Sequence, residues 1–294
     1  MKTYGVCPSR ETLEIIKNAE FVETELGVRI PKLIHYCWFG GNPLPESAKK
    51  CMESWKKFFP DFSIIEWNES NFNVDAIMYA KEAYERKKYA FTSDVARFSI
   101  LYQFGGLYFD TDVEVIKDMS AIVKRGPFMG CEKDYNDKSG GPSVAPGLGL
   151  GVNPGLAIYK IILESYSNEH FVNADGTNNI ATIVDRTTNV LLDFGLERVN
   201  SIQNVAGLYI YPKEYFCPKI MDSDEIVITE NTVSIHHYDA SWADEIDKRS
   251  GRRAYKLRKI FGEQIGNMIN TVLYGYEKYG VVGSIKRKLG KVKK

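Results

Sequence analysis

Two apolar stretches separated by one helical pattern do most to limit how this chain can fold. The first is Ile30-Pro31-Lys32-Leu33-Ile34-His35-Tyr36-Cys37-Trp38-Phe39, closed by Gly40-Gly41. The pattern that follows, over residues 45–59, repeats its apolar positions Ala48, Met52, Trp55 and Phe59 every three or four residues. After Pro60-Asp61 a second apolar run covers residues 62–67. Strand, amphipathic helix and strand in that order and length predict a parallel βαβ unit. With 294 residues, 44% apolar and 26% charged, the chain can bury a large core as one α/β domain with added helices.

The remaining chain reads in the same terms. Residues 1–28 are polar and predict a helical lead-in. Residues 75–88 predict a helix with a charged face. Thr92 or Ser93 is placed to N-cap the next helix, which runs to Phe104 and stops at Gly105-Gly106. Residues 107–115 alternate, with Leu107, Phe109, Val113 and Val115 against Tyr108, Asp110, Asp112 and Glu114, and predict one strand. A short strand is expected at 128–132, and a long glycine- and proline-rich loop at 134–154. Helices are expected near 155–166 and 178–194, a late strand at 232–238, and basic helical chain after Ser250. The expected division is a domain over 1–250 and a basic helical extension over 251–294.

Charge and cysteine content exclude several classes. Lys+Arg and Asp+Glu both number 38, so no global field points to nucleic acid. The five cysteines are odd in number, scattered and without a CxxC pair. They read as reduced thiols of a cytoplasmic protein, without structural zinc. The N-terminus shows no signal-peptide pattern, and no apolar run of about 18 residues predicts a membrane span.

Asp110-Thr111-Asp112 carries the chemistry. On a strand, residues i and i+2 face one side, so the two carboxylates converge and could hold a hard divalent cation that also touches a diphosphate. Alone, such a triplet is more often a solvated strand end. Asp94 and Arg97 share a helix face. They form either a surface ion pair of little value or a polar clamp on sugar hydroxyls. Trp38 closes the first strand, where an indole stacks on a flat base, although a tryptophan there also serves as core. Ser234-Ile235-His236-His237 holds two of the four histidines. Adjacent strand residues face opposite sides, so one of the pair can complete a carboxylate metal site. Ser241 and Trp242 follow within reach of a diphosphate.

Four motifs together resemble the family 32 glycosyltransferases, the DxD group that includes Och1-like mannosyltransferases and capsular polysaccharide enzymes. Clostridial glucosylating toxins resemble them more distantly. The motifs are Ile30-Pro31-Lys32 through His35, Trp38 and Gly40; Ser93-Asp94 with Arg97; Gly105-Gly106 with Tyr108, Asp110 and Asp112; and His236-His237 with Ser241-Trp242. The similarity runs over about residues 29–242.

The resemblance implies a GT-A fold, Rossmann-like, with Mn²⁺ or Mg²⁺ and a nucleotide-sugar donor, UDP-galactose or UDP-glucose being the expectation and GDP-mannose the alternative within the family. Carried over, Trp38 meets the base, Asp94 and Arg97 the sugar, and Tyr108 and Asp110 the nucleotide. Asp110, Asp112 and His236 are the metal ligands, and Ser241 and Trp242 cover the diphosphate. Asp94, Arg97, Asp110 and Asp112 form the catalytic set. The expected acceptor is a glycan or lipid-linked oligosaccharide in surface polysaccharide assembly. Alternatives are a toxin-like transferase acting on a protein and a non-catalytic sugar-binding module. The Lys- and Arg-rich end reads either as an anchor to an anionic membrane at the inner face of the cell or as a packed helix with a soluble tail.

Overall fold

The structure is a computed structural model that describes residues 4–136, 140–220, 223, 225–239 and 245–292, with side chains up to residue 280. The chain forms two compact units. The first comprises Met1–Pro218 with Val227–His237, and the second Lys219–Ile226 with Tyr238–Lys294.

In chain order the first unit contains α1 (Arg10–Lys17), β1 (Phe21–Glu23), β2 (Arg29–Pro31), β3 (Leu33–Cys37), α2 (Glu46–Phe58) and β4 (Ser63–Trp67). A 3-10 turn at Val74–Ala76 leads to α3 (Met78–Glu85), α4 (Tyr89–Phe104), β5 (Gly106–Tyr108), β6 (Val113–Val115), α5 (Ser120–Arg125) and β7 (Phe128–Lys133). Then come β8 (Ser143–Ala145), β9 (Leu150–Val152), α6 (Ala157–Tyr166), α7 (Ile183–Asp193), β10 (Gln203–Val205), β11 (Leu208–Tyr211), α8 (Lys213–Phe216) and β12 (Ser234–His236).

The main sheet runs β10-β11-β7-β9-β5-β3-β4, with β8 also paired to β7. β3 lies parallel to both β4 and β5, as the βαβ reading requires. β9 is antiparallel to β5 and β7, so the sheet is mixed. The expected α/β, Rossmann-like class is borne out. β6 and β12 form a separate antiparallel ribbon. The ribbon is tied to α2: the Trp55 indole donates to the Val113 carbonyl at 2.7 Å, and the Val115 N–H donates to Ser54 Oγ at 2.9 Å.

α4 organises the core. Val95, Ala96, Phe98, Ile100 and Leu101 are fully buried, as are Thr92 and Ser99. A helix enclosed on nearly every side shows no polar stripe, which is why its sequence lacks amphipathic spacing. Its start differs from expectation. Lys87 takes a left-handed backbone (φ 56°), and the helix begins at Tyr89 behind Lys88, which makes no side-chain cap. Thr92 and Ser93 lie inside the helix, and the Thr92 hydroxyl donates to the Ala80 carbonyl.

Four further expectations are corrected. The 29–41 stretch is two strands, broken at Lys32, whose ammonium bridges Glu20 and Asp61 at 2.7 Å each. The 75–88 segment begins with a 3-10 turn, capped where the Asp75 N–H meets Asn73 Oδ1. The lead-in contains the strand β1 as well as a helix. The 134–154 segment holds β8 and β9, whose Val144, Ala145, Leu150 and Val152 are all buried. A strand covered on both faces shows no alternation. Gly151 hides it further, because a Cβ there would lie 2.4 Å from the Phe128 ring. The five cysteines are thiols, four of them buried.

His35 on β3 is fully buried. Its Nδ1 accepts from the Trp67 indole at 3.0 Å, which fixes the proton on Nε2 facing the Gly105 carbonyl at 3.0 Å. Burial pushes its pKa down to about 4, against the pull of that carbonyl. The unfolded chain therefore binds a proton that the folded chain refuses between about pH 6.5 and 4, and stability falls as pH drops through that window. The loss attributable to His35 is about 3 kcal/mol. A His35→Gln variant keeps an acceptor and a donor without a titrating ring. Denaturant melts at pH 7 and pH 4.5 should show a shallower pH dependence in the variant, and equal slopes would refute the assignment.

The second unit carries α9 (Glu245–Phe261) and α10 (Glu263–Val292), which is interrupted at Gly280. Gly262, with φ 78°, turns the chain between them.

Candidate functional site

Because β3, β4 and β5 run parallel, their carboxyl ends share one edge of the sheet, where open α/β sheets place ligands. Gly105 (φ 67°) and Gly106 (φ 98°) bring the chain from α4 into β5. At Gly105 a Cβ would lie 2.6 Å from the Pro154 ring, and at Gly106 one would lie 2.9 Å from the Leu33 carbonyl oxygen. Only glycine satisfies both the backbone and the space. The Phe109 N–H still bonds the His35 carbonyl at 3.2 Å, and then the chain leaves the sheet.

Here the expected single strand over 107–115 breaks. The Val113 N–H bonds the Asp110 carbonyl at 3.0 Å, closing a turn over Asp110-Thr111-Asp112. The alternation continues in phase across the break, since Leu107, Phe109, Val113 and Val115 are all buried. The sequence therefore gives no sign of it. The two carboxylates belong to a turn, and the strand-face argument for their convergence does not apply.

Arg97 lies beneath this turn. Its guanidinium contacts Asp94 Oδ1 at 3.0 Å and Asp110 Oδ1 at 3.1 Å, with Asp110 Oδ2 at 3.5 Å. It also packs 4.8 Å from the centre of the Tyr108 ring. The Arg97 side chain is 5% exposed and that of Asp110 29%. The guanidinium therefore sits below, and the carboxylate opens outward. The Tyr108 hydroxyl, on a buried ring, donates to Asp110 Oδ1 at 3.1 Å and holds the carboxylate from beneath. Asp94 and Arg97 are thus a buried pair in the wall of the site, and the surface-pair alternative is excluded.

The charges are strongly coupled. Burial pushes the Asp94 carboxyl up to about 7, although Arg97 pulls it down. Burial also raises Asp110, with Arg97 opposing and Asp112 adding like-charge pressure. For Arg97 burial works against the charge, but Asp110, Tyr108 and Asp94 outweigh it and hold the guanidinium protonated.

From the other side, β12 sets His236 opposite Val113 in the ribbon. His236 Nε2 lies 3.1 Å from Asp112 Oδ1. Burial lowers the imidazole pKa, while Asp112, together with Asp110 and Glu132, more than reverses that and leaves it raised. The His237 N–H donates to the Asp112 carbonyl at 2.9 Å, and its ring meets Glu114 at 2.8 Å. His236 therefore faces the Asp112 carboxylate, and the His237 ring faces Glu114. Trp38, half-buried, follows β3 at the same sheet edge, with its indole donating to the Asn42 carbonyl at 2.6 Å. Ser241 and Trp242 lie outside the described residues.

Sequence reasoning missed Gly147. Its carbonyl accepts the Asp110 N–H at 3.1 Å. A Cβ on it would stand 2.0 Å from Asp110 Oδ2 and 3.2 Å from an Arg97 nitrogen. Glycine at 147 makes room for the carboxylate. Within a segment holding five other glycines between 140 and 155, nothing marked this one.

The donor set suits a hard divalent cation: two carboxylates and an imidazole around a turn, with like-charge pressure on Asp110 that a cation relieves. Among the described residues, no three His, Cys, Asp or Glu side chains are grouped closely enough to hold a metal ion together.

Residues 45–129 match the family described as the glycosyltransferase sugar-binding region containing a DXD motif. Two mannosyltransferases of Schizosaccharomyces pombe are similar. Inositol phosphoceramide mannosyltransferase 1 is 29% identical over 110 residues, 34% of this chain and 34% of its own length. Inositol phosphoceramide mannosyltransferase 3 is 34% identical over 98 residues, 32% of this chain and 27% of its own length. The chain thus spans about a third of the curated relatives it matches. Among solved structures, the PaToxG glycosyltransferase aligns with TM-score 0.41 and 17% identity over 62% of this chain and 75% of its own. A glycosyltransferase involved in glycosylation of the major capsid of PBCV-1 aligns with TM-score 0.36 and 9% identity, over 71% and 94%. The resemblance to family 32 glycosyltransferases is borne out over residues 45–129, which include Asp94, Arg97, Asp110 and Asp112. Trp38 and His236 fall outside that segment.

Proposed function

We propose that this chain is a retaining, divalent-cation-dependent glycosyltransferase that moves a hexose from a nucleotide sugar, UDP-galactose or UDP-glucose, to a glycan or lipid-linked acceptor of a surface polysaccharide. One observation carries the reading. The outward carboxylate of Asp110 is anchored on buried Arg97 and adjoins the Asp112–His236 pair, in a segment matching DXD sugar-binding regions.

In this reading Asp110, Asp112 and His236 hold Mn²⁺ or Mg²⁺, which supplies Lewis-acid stabilisation of the departing diphosphate. Arg97 keeps the Asp110 carboxylate in place without rearrangement at the moment of reaction, and preorganised charge is where such sites gain most. Asp94, on the same face of α4, offers an acceptor to donor-sugar hydroxyls and so orients the ring. Trp38 offers its ring to the base. No side chain is assigned as nucleophile. Retention follows if the acceptor hydroxyl attacks from the face that the diphosphate leaves, with a phosphate oxygen taking its proton.

The test is slow hydrolysis of a panel of nucleotide sugars. UDP release from one UDP-hexose above the others, with Mn²⁺ and not with EDTA, is expected. If no member of the panel is hydrolysed or raises the melting temperature through binding, the assignment fails.

Gly147→Ala probes the same site from behind. The backbone at 147 tolerates alanine, so the disturbance is the new methyl against Asp110. The expected cost is about 1–3 kcal/mol of stability from overpacking. Donor hydrolysis should fall by roughly a hundredfold, the scale seen when a positioned charge is lost. Unchanged turnover would show that the position of the Asp110 carboxylate is irrelevant.

A further inference from the structure

The second unit reverses the usual amphipathic arrangement. The inside of the α9–α10 hairpin is polar. Arg253 bonds Asn270 at 2.9 Å and Glu277 at 2.6 Å, and Asn270 bonds Ser250 at 3.0 Å. Tyr274 and Lys278 meet Asp247 at 2.7 and 2.5 Å. At Gly266 a Cβ would lie 2.6 Å from the Arg258 backbone, so the helices close tightly there. The opposite face of α10 carries Ile265, Met268, Val272, Leu273, Tyr276 and Tyr279, all exposed. At 100° per residue these fall within one stripe.

A polar interior leaves the apolar stripe with no role inside the hairpin. Its chemistry identifies the occupant. Residues 245–294 hold fourteen Lys and Arg against four Asp and Glu, and six of those cations lie in the last nine residues. Lys248, Arg253, Lys259 and Lys278 pair with carboxylates, and the excess stays positive. A second copy of the same surface would bring like charges together. An anionic bilayer offers both an apolar layer for the stripe and negative headgroups for the cations. Among the described residues no helix is long and apolar enough to cross a membrane, so the helix would lie in the plane of the interface.

We infer that the exposed apolar face of α10, in a segment of strongly basic sequence, forms an in-plane binding surface for anionic lipid. This inference does not depend on the transferase reading, because vesicle binding is measured without donor or acceptor.

Flotation of the full chain with vesicles of neutral phosphatidylcholine, and of the same lipid with 30% phosphatidylglycerol, tests it. Binding to the anionic vesicles is expected, at least tenfold stronger than to the neutral ones and weakened by salt. Met268→Asp with Val272→Asp, both on the exposed stripe, should reduce that binding tenfold or more while far-UV circular dichroism and melting stay as in wild type. Lys286→Glu, Arg287→Glu and Lys288→Glu together should do the same through charge alone. The inference is overturned if the wild type ignores anionic vesicles. It is equally overturned if light scattering shows a dimer that the Met268→Asp, Val272→Asp chain loses without any change in vesicle binding.

Discussion

An Asp112→Ala chain is expected to fold and to melt only a few degrees below wild type, while its Mn²⁺-dependent release of UDP from a UDP-hexose drops by roughly a hundred- to a thousandfold. The turn that carries Asp112 is closed by main-chain bonds, Val113 N–H to Asp110 and His237 N–H to Asp112, and neither uses the carboxylate. The side chains of Asp112 and His236 are only 17% and 14% exposed, but an imidazole deprived of that carboxylate can shed its proton, so the substitution strands no buried charge. The expected stability cost is therefore that of one buried polar contact, about 1–3 kcal/mol. The expected catalytic cost is large because Asp112 is one of the two carboxylates assigned to the cation. Thermal denaturation and UDP release, run on the same preparation, separate the two effects. Turnover within threefold of wild type would remove Asp112 from the mechanism.

Arg97→Ala should behave in the opposite way and fail on stability first. Arg97 is the guanidinium between two carboxylates, Asp94 and Asp110, in a nearly closed environment. Removing it leaves both without their cation, and breaking a buried pair in this manner costs about 3–5 kcal/mol. For a unit of this size that lowers the melting temperature on the order of 10 °C. Arg97→Lys restores the charge but not the fork that reaches both carboxylates, so an intermediate loss is expected. If Arg97→Ala melted with wild type, the buried triangle would not be a structural element of the site. A loss of activity seen with Arg97→Ala alone therefore cannot separate a sugar clamp from a collapsed wall. Measuring Arg97→Lys at a temperature where it stays folded makes that separation.

Much of this was legible in the sequence, for reasons that can be located. The β3–α2–β4 unit announced itself because its helix is amphipathic and its strands are long apolar runs, which leaves one pairing. Asp94 and Arg97 shared a face on helical spacing alone. The depth at which they lie was not legible, because α4 is buried on nearly every side and so carries no stripe to orient it. The break after Tyr108 was hidden by an alternation that stays in phase through two different strands. β8 and β9 were hidden by burial on both faces and by glycines that serve close packing as readily as flexibility. Gly147 was beyond reach: its importance lies in the absence of a Cβ beside Asp110, a space that exists only in the folded chain.

The most direct test of the central claim is calorimetric titration of UDP into the full chain, once with Mn²⁺ and once with EDTA. The account predicts binding with Mn²⁺ that weakens at least tenfold in EDTA, and that weakens to the same degree in Asp112→Ala with Mn²⁺ present. UDP bound equally well in EDTA, or with wild-type affinity by Asp112→Ala, would contradict it.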